Sequence, residues 1–258
     1  MRWALAGSVL GAAAATLAFA PASWLANALA ATSGERLLLA DARGTVWQGS
    51  AVLVLTGGPG SRDASALPGR VQWSLALQGA ALALRARHDC CIDGELLLRL
   101  TPGLGRLRLD LPPTTGAVGH WPAAWLVGLG TPWNTLQPTG TLQLSSTGLS
   151  AETVQGRWRI SGQAVLELGN MASRMSTLDV LGSYRLTLVG EAEGSDAARV
   201  QLTTTSGALQ LSGSGQWTAS KLRFNGQAEA APGSEAALAN LLNIIGRRQG
   251  AASLISIG

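Results

Sequence analysis

Arg70-Val71-Gln72-Trp73-Ser74-Leu75-Ala76-Leu77, and after Gln78-Gly79 the stretch Ala80-Ala81-Leu82-Ala83-Leu84-Arg85-Ala86-Arg87, alternate strictly in character. In the first segment Val71, Trp73, Leu75 and Leu77 share one face; in the second Leu82, Leu84 and Ala86 oppose Ala83, Arg85 and Arg87. A period of two sends successive side chains to opposite sides of a pleated strand, so each segment reads as a strand with one buried and one wet face.

The same period recurs in both directions along the chain. Residues 36–40 and 45–55 precede it; 106–111, 141–145, 156–160, 163–168, 184–189, 198–203, 207–211 and 221–230 follow. Gly57-Gly58-Pro59-Gly60, Leu67-Pro68-Gly69, Pro112-Pro113, Gly169-Asn170 and Gly213-Ser214-Gly215 mark breaks between them. Strands so spaced predict a mainly β fold, a curved and meandering antiparallel sheet. Helix is scarce. Residues 121–129 have room for one or two turns, with Pro122 in the first. Ser234 is placed to cap a short amphipathic helix with Leu238, Leu241, Leu242 and Ile245 on one face. Gly246 is expected to stop it, ahead of Arg247 and Arg248 at the negative dipole end.

Ahead of the sheet lies an apolar stretch with no charged residue between Arg2 and Glu35. A continuous helix over residues 3–24 would rise roughly 31 Å, matching the hydrocarbon thickness of a bilayer. Trp3 and Trp24 suit its two interfaces, Pro21 falls in its last turn, and Arg2 keeps the N-terminus in the cytoplasm. The expected division is a short cytoplasmic end with a transmembrane anchor over 1–31 and a periplasmic β-rich domain over 32–258. The competing reading is a cleaved signal peptide, since Ala18-Phe19-Ala20 and Ala28-Leu29-Ala30 both have the A-x-A form. Pro21 directly after the first and the length of apolar chain before the second favour the anchor.

Charged residues make up 13% of the chain, and Lys221 is the sole lysine. The net charge of +4 comes from arginines scattered singly rather than from a basic stripe, so no nucleic-acid surface is expected. The two cysteines are neighbours in His88-Asp89-Cys90-Cys91-Ile92-Asp93. The spacing lacks the C-x₂₋₄-C of zinc sites, so no metal is expected from His88, Cys90, Cys91 and Asp93. A turn of small residues or a labile vicinal disulfide remain the readings of that pair. Neither His88 nor His120 sits in a hydrolase or metalloprotease motif, and Lys221 follows no phosphate loop. Glu191 and Glu193 are the one carboxylate pair two residues apart on a candidate strand, a weak basis for acid–base chemistry. No catalytic residue, cofactor or metal is assigned. The tryptophans that recur after glycine (Trp47, Trp73, Trp158, Trp217) are expected to supply core mass.

Three segments together carry a family resemblance. They are Leu37-Leu38-Leu39-Ala40-Asp41-Ala42-Arg43-Gly44-Thr45-Val46-Trp47-Gln48-Gly49-Ser50-Ala51 after the apolar N-terminus, Leu67-Pro68-Gly69-Arg70-Val71-Gln72-Trp73-Ser74-Leu75, and an ending that runs from Leu211-Ser212-Gly213-Ser214-Gly215-Gln216-Trp217 through Phe224-Asn225-Gly226-Gln227-Ala228 to Leu241-Leu242-Asn243-Ile244-Ile245-Gly246. In order and spacing they resemble protein N of the bacterial type II secretion system. The resemblance implies a single-span inner-membrane protein with a periplasmic β-rich domain, an accessory part of protein export that meets other secretion components. It transfers no catalytic residue, and it leaves the cysteine pair unplaced. The competing expectation is an AsmA-like lipid-handling sheet, with an open groove lined by Leu82, Leu84, Leu107 and Leu109. An outer-membrane barrel fits less well, because several strands fall short of the roughly 9–11 residues a span needs.

Overall fold

The computed structural model describes residues 2–154, 157–190, 197–218 and 221–258. The chain begins with helices α1 (Arg2–Ala18) and α2 (Ala22–Thr32). Strands β1 (Leu37–Gly44), β2 (Gln48–Thr56), β3 (Ala64–Ala66), β4 (Val71–Gln78), β5 (Ala81–Arg87), β6 (Leu96–Gly103), β7 (Arg106–Leu111) and β8 (Ala117–Pro122) follow. A 3-10 helix, Ala123–Leu129, and the short α3 (Trp133–Leu136) lead to β9 (Pro138–Val154), β10 (Arg157–Ser173), β11 (Gly182–Gly190), β12 (Ala197–Gly207), β13 (Leu209–Thr218) and β14 (Lys221–Ala230). The chain closes with α4 (Glu235–Ile245), β15 (Arg247–Gln249) and β16 (Ala252–Ile257).

All strands join one open antiparallel sheet in the order β1-β2-β4-β5-β6-β7-β9-β10-β11-β12-β13-β14-β16-β15, with β3 on β2 and β8 on β9. Alternating strand direction has a geometric consequence. Strands β1, β4, β6, β9, β11 and β13 all finish at one end of the sheet. The 3-10 helix and α4 lie toward the other.

One face of the sheet carries the core in two clusters. Near the start, α2 lays Ala22 and Leu25 against Ala51, Val71, Trp73 and Ala86. Toward the C-terminus, Leu238, Leu241 and Leu242 of α4 pack with Leu142, Leu181, Tyr184, Leu209 and Ala228. The family-like segments meet here. Gly49 pairs with Trp73 in register, and a Cβ on Gly49 would collide with that indole, whose Nε1–H donates to the Val46 carbonyl at 3.1 Å. Gly213 and Gly226 pair across β13 and β14, and the ring of Phe224 occupies the space their side chains would need.

The structure corrects several sequence expectations. The helix over 3–24 is broken at residues 19–21, because proline supplies no N–H and bars the preceding residue from helical backbone. Pro21 instead bridges to Thr45, and Ala20 accepts the Val46 N–H at 2.9 Å. Among the described residues no helix is long and apolar enough to cross a membrane. Gly169-Asn170 and Gly213-Ser214-Gly215 are not breaks. The first is a bulge within β10, with Asn170 at φ +47°, and the second lies inside β13. Ser234 makes no side-chain cap, and Gly246 is extended and leads into β15 at Arg247, rather than closing α4 with a left-handed turn. A Cβ on Gly246 would strike the Leu254 carbonyl. The tryptophans divide: Trp73 is buried, whereas Trp158 and Trp217 are 40% and 37% exposed. The glycine before Trp158, Gly156, and the start of the 156–160 strand lie outside the described residues.

Candidate functional site

The chemistry-bearing residues converge at the loop between β5 and β6. His88 leaves β5 and turns the chain, its carbonyl accepting the N–H groups of Cys91 and Ile92, each at 3.2 Å. Cys90 and Cys91 are joined in a vicinal disulfide. Cys91 is buried, and its carbonyl accepts the His120 N–H at 3.2 Å, while the Asp93 N–H donates to Val118 at 3.2 Å. The loop is thus an extra rung on β8, and a Cβ on Gly119 would collide with the Cys91 carbonyl. The sequence had left the turn and the disulfide as alternatives; both are present.

His88 is 4% exposed, and its Nδ1 accepts the Cys90 N–H at 3.3 Å. That bond fixes the proton on Nε2, which is buried with no partner among the described residues. Burial holds the imidazole below its ordinary pKa of 6.5, against the opposing pull of Asp89. The ring lies over Gly69 of the Leu67-Pro68-Gly69 turn, with Cε1 3.5 Å from where a Cβ would stand. His88, Cys90 and Cys91 bring their ligand-type atoms within 4.8 Å of one another. With the sulfurs bonded to each other, neither is a thiolate, the form that binds metal. Asp93, grouped with them on sequence, faces away and pairs with His120 Nδ1 at 3.0 Å.

Several other polar groups are tied up structurally. Asp41, in left-handed backbone (φ +49°) at a bulge of β1, receives Arg70 at 2.7 Å and Arg43 at 2.8 Å. These hydrogen bonds, from Arg43 first and Arg70 next, hold its carboxyl below the usual range. A cleft of about 320 Å³ beside the cysteine loop is lined in part by Asp93 and Glu95, and Glu95 is already paired with Arg87 at 2.8 Å. Tyr184 donates to the Leu209 carbonyl at 3.1 Å inside the core, and burial raises its pKa. Glu191 and Glu193 lie outside the described residues.

The groove residues fall on one face, as the alternation requires. Leu77, Leu82, Leu100, Leu109, Ala151 and Ile160 stand opposite one another across β4, β5, β6, β7, β9 and β10. Leu84 packs onto the N-terminal core cluster, Leu82 and Leu109 are half-buried, and Leu107 is 38% exposed. Helices pack chiefly on β1, β2, β3, β9, β14, β15 and β16, leaving this row without a helical cover among the described residues.

α1 stands apart from both core clusters. Trp3, Leu10, Leu17 and Phe19 are 92%, 71%, 61% and 77% exposed. It meets the sheet at the hairpin end, where the Trp47 indole donates to the Leu17 carbonyl at 2.8 Å. The sequence showed the apolar helix but not this junction, which depends on contacts between residues far apart in the chain.

The family model described as "Type II secretion system (T2SS), protein N" matches residues 35–254. No curated protein and no solved structure matches the chain.

Proposed function

Because the chain belongs to the type II secretion system protein N family, we propose that it acts as a non-enzymatic accessory component of that system, held at the inner membrane by α1 with its sheet domain in the periplasm. The family match over residues 35–254 carries the secretion role, and it implies association with the cell envelope and with other components of the apparatus. Anchoring is supported by α1 itself. A 17-residue helix free of acidic residues, its described side chains exposed, presents apolar surface that water disfavours. At about 1.5 Å per residue it reaches roughly 25 Å, near the lower bound for a span. Trp3, 92% exposed near the start of α1, suits the interface at its far end. A structural, not chemical, role is supported by the pairing of Asp93 with His120, of Glu95 with Arg87, and of Asp41 with Arg43 and Arg70.

In-cell crosslinking of the full chain in its native host, purification in mild detergent and mass spectrometry tests this. Recovery of secretion-platform proteins or the outer-membrane secretin is expected. Recovery of neither, with the chain found in the soluble fraction, would overturn the assignment. The uncovered row Leu82–Leu100–Leu109 favours a second reading, an AsmA-like lipid-handling sheet, which stoichiometric co-purified lipid without secretion partners would support.

A further inference from the structure

Among the described residues the most exposed large apolar side chain is Leu104, 104% exposed at the tip of the β6–β7 hairpin. The neighbouring β9–β10 hairpin is paired to it through β7, with Arg106 opposite Val154 and Leu107 opposite Thr153. Thr153 in turn faces Trp158. Leu107 and Trp158 therefore stand on the same face just below the tip, 38% and 40% exposed. Arg106 and Arg157 flank them, both exposed and permanently charged. Among the described residues nothing acidic stands at the tip itself. Of the described carboxylates on these strands, Glu152 and Asp110 lie opposite Arg159 and Arg99, and Asp110 is bonded to Arg108 at 2.8 Å.

This patch lies at the end of the sheet from which α1 departs, since β6 and β9 run in the same direction as β1 and finish at the end where β1 meets the Leu17 joint. A leucine tip, an indole beside it and arginines around both is the composition of a segment that enters a bilayer interface: the leucine sheds water, the indole sits at headgroup depth, and guanidinium groups meet anionic phosphates. We propose that the β6–β7 hairpin, with Trp158 at the start of β10 beside it, dips into the anionic phospholipid surface that α1 enters, giving the domain a second, lateral foothold that fixes its orientation on the membrane. This rests on the anchoring of α1 stated above.

The test uses the full chain in phosphatidylcholine nanodiscs with and without phosphatidylglycerol, carrying a photoreactive phenylalanine analogue at Leu10, at Leu104 or at Glu235. Glu235 is exposed and opens α4, on the far side of the domain. Lipid adducts at Leu104 are expected on the order of tenfold above those at Glu235, and higher with phosphatidylglycerol. Adducts at Leu10 but not at Leu104 would overturn this inference and leave α1 as the anchor. Adducts at neither would overturn the anchoring as well. Equal adducts in both nanodiscs would overturn the role of the arginines, and a protein adduct at Leu104 in cells, in place of lipid, would assign the patch to a protein partner instead. A Leu104→Asp, Leu107→Asp variant, with both substitutions on exposed side chains, is expected to keep its melting temperature while losing headgroup-depth quenching of Trp158. Unchanged quenching would count against the foothold.

Discussion

The indole Nε1–H of Trp47 donates to the carbonyl of Leu17 at 2.8 Å, joining residues 30 apart in the chain. The bond adds a short donor to a carbonyl in the last turn of α1 that also accepts the Ala20 N–H at 3.4 Å, and with the Pro21–Thr45 bridge it seats the end of that helix on the β1–β2 hairpin. Trp47→Phe keeps the ring and removes the donor, at a cost of about 1 kcal/mol. The expected result is faster proteolysis at the joint over residues 18–21 with an unchanged melting temperature for the sheet. Equal cleavage rates would show that the bridge alone holds the joint.

Leu241 is 2% exposed between α4 and the sheet. Leu241→Ala removes packed volume where the rigid strands below have little freedom to collapse, and a loss of about 2–5 kcal/mol is expected in denaturant melts. Ile244, on the same helix but 41% exposed, serves as the control and is expected to change far less on substitution by Ala.

Gly213 and Gly226 lie under the ring of Phe224. Gly213→Ala puts a methyl group where the ring sits, so either the ring or β13 must move. A loss of about 1–3 kcal/mol is expected. Phe224→Leu combined with Gly213→Ala should recover part of it, since the smaller side chain vacates the space; no recovery in a double-mutant cycle would place the cost in the backbone instead.

His88 titrates below 6.5 in the folded protein because burial disfavours its charged form. The unfolded chain then binds more protons than the folded one between the folded value and 6.5, so this contribution is complete above 6.5 and is lost as pH falls through that interval. The melting temperature is expected to be flat above neutrality and to decline as pH drops below about 6.5. His88→Gln should flatten the decline. A variant that parallels the wild type across the same range would remove His88 as its source.

Cys90 and Cys91 are bonded, and Cys91 is 2% exposed. Iodoacetamide is expected to modify neither in the native, unreduced protein and both after reduction in denaturant, read by intact mass. Modification without reductant would show the pair as free thiols.

The mainly antiparallel sheet was legible because alternation is a local property. Arg106, Leu107, Arg108, Leu109, Asp110 and Leu111 name their own faces, and β7 occupies those residues. The amphipathic spacing of Leu238, Leu241 and Leu242 likewise identified α4 and its buried face. β6 was harder to see, because Leu96-Leu97-Leu98 is an apolar run without alternation. The cysteine pair was found by its spacing, but neither the burial of His88 nor its rung on β8 could be read from it.

What the sequence determined by itself was therefore the local periodicity: strands, the apolar N-terminus, the C-terminal helix, and the order of glycine and tryptophan that marks the family. What tertiary structure decided was everything that depends on a partner far along the chain. Pro21 breaks the long helix, but Thr45 determines where the broken end goes. Gly213 looks like a turn residue until Phe224 crosses it, and Trp158 looks like core until it stands 40% exposed at the start of β10. Backbone propensity and alternation act over a few residues, whereas burial is set by which strands the sheet brings together, and that is fixed only when the register is complete.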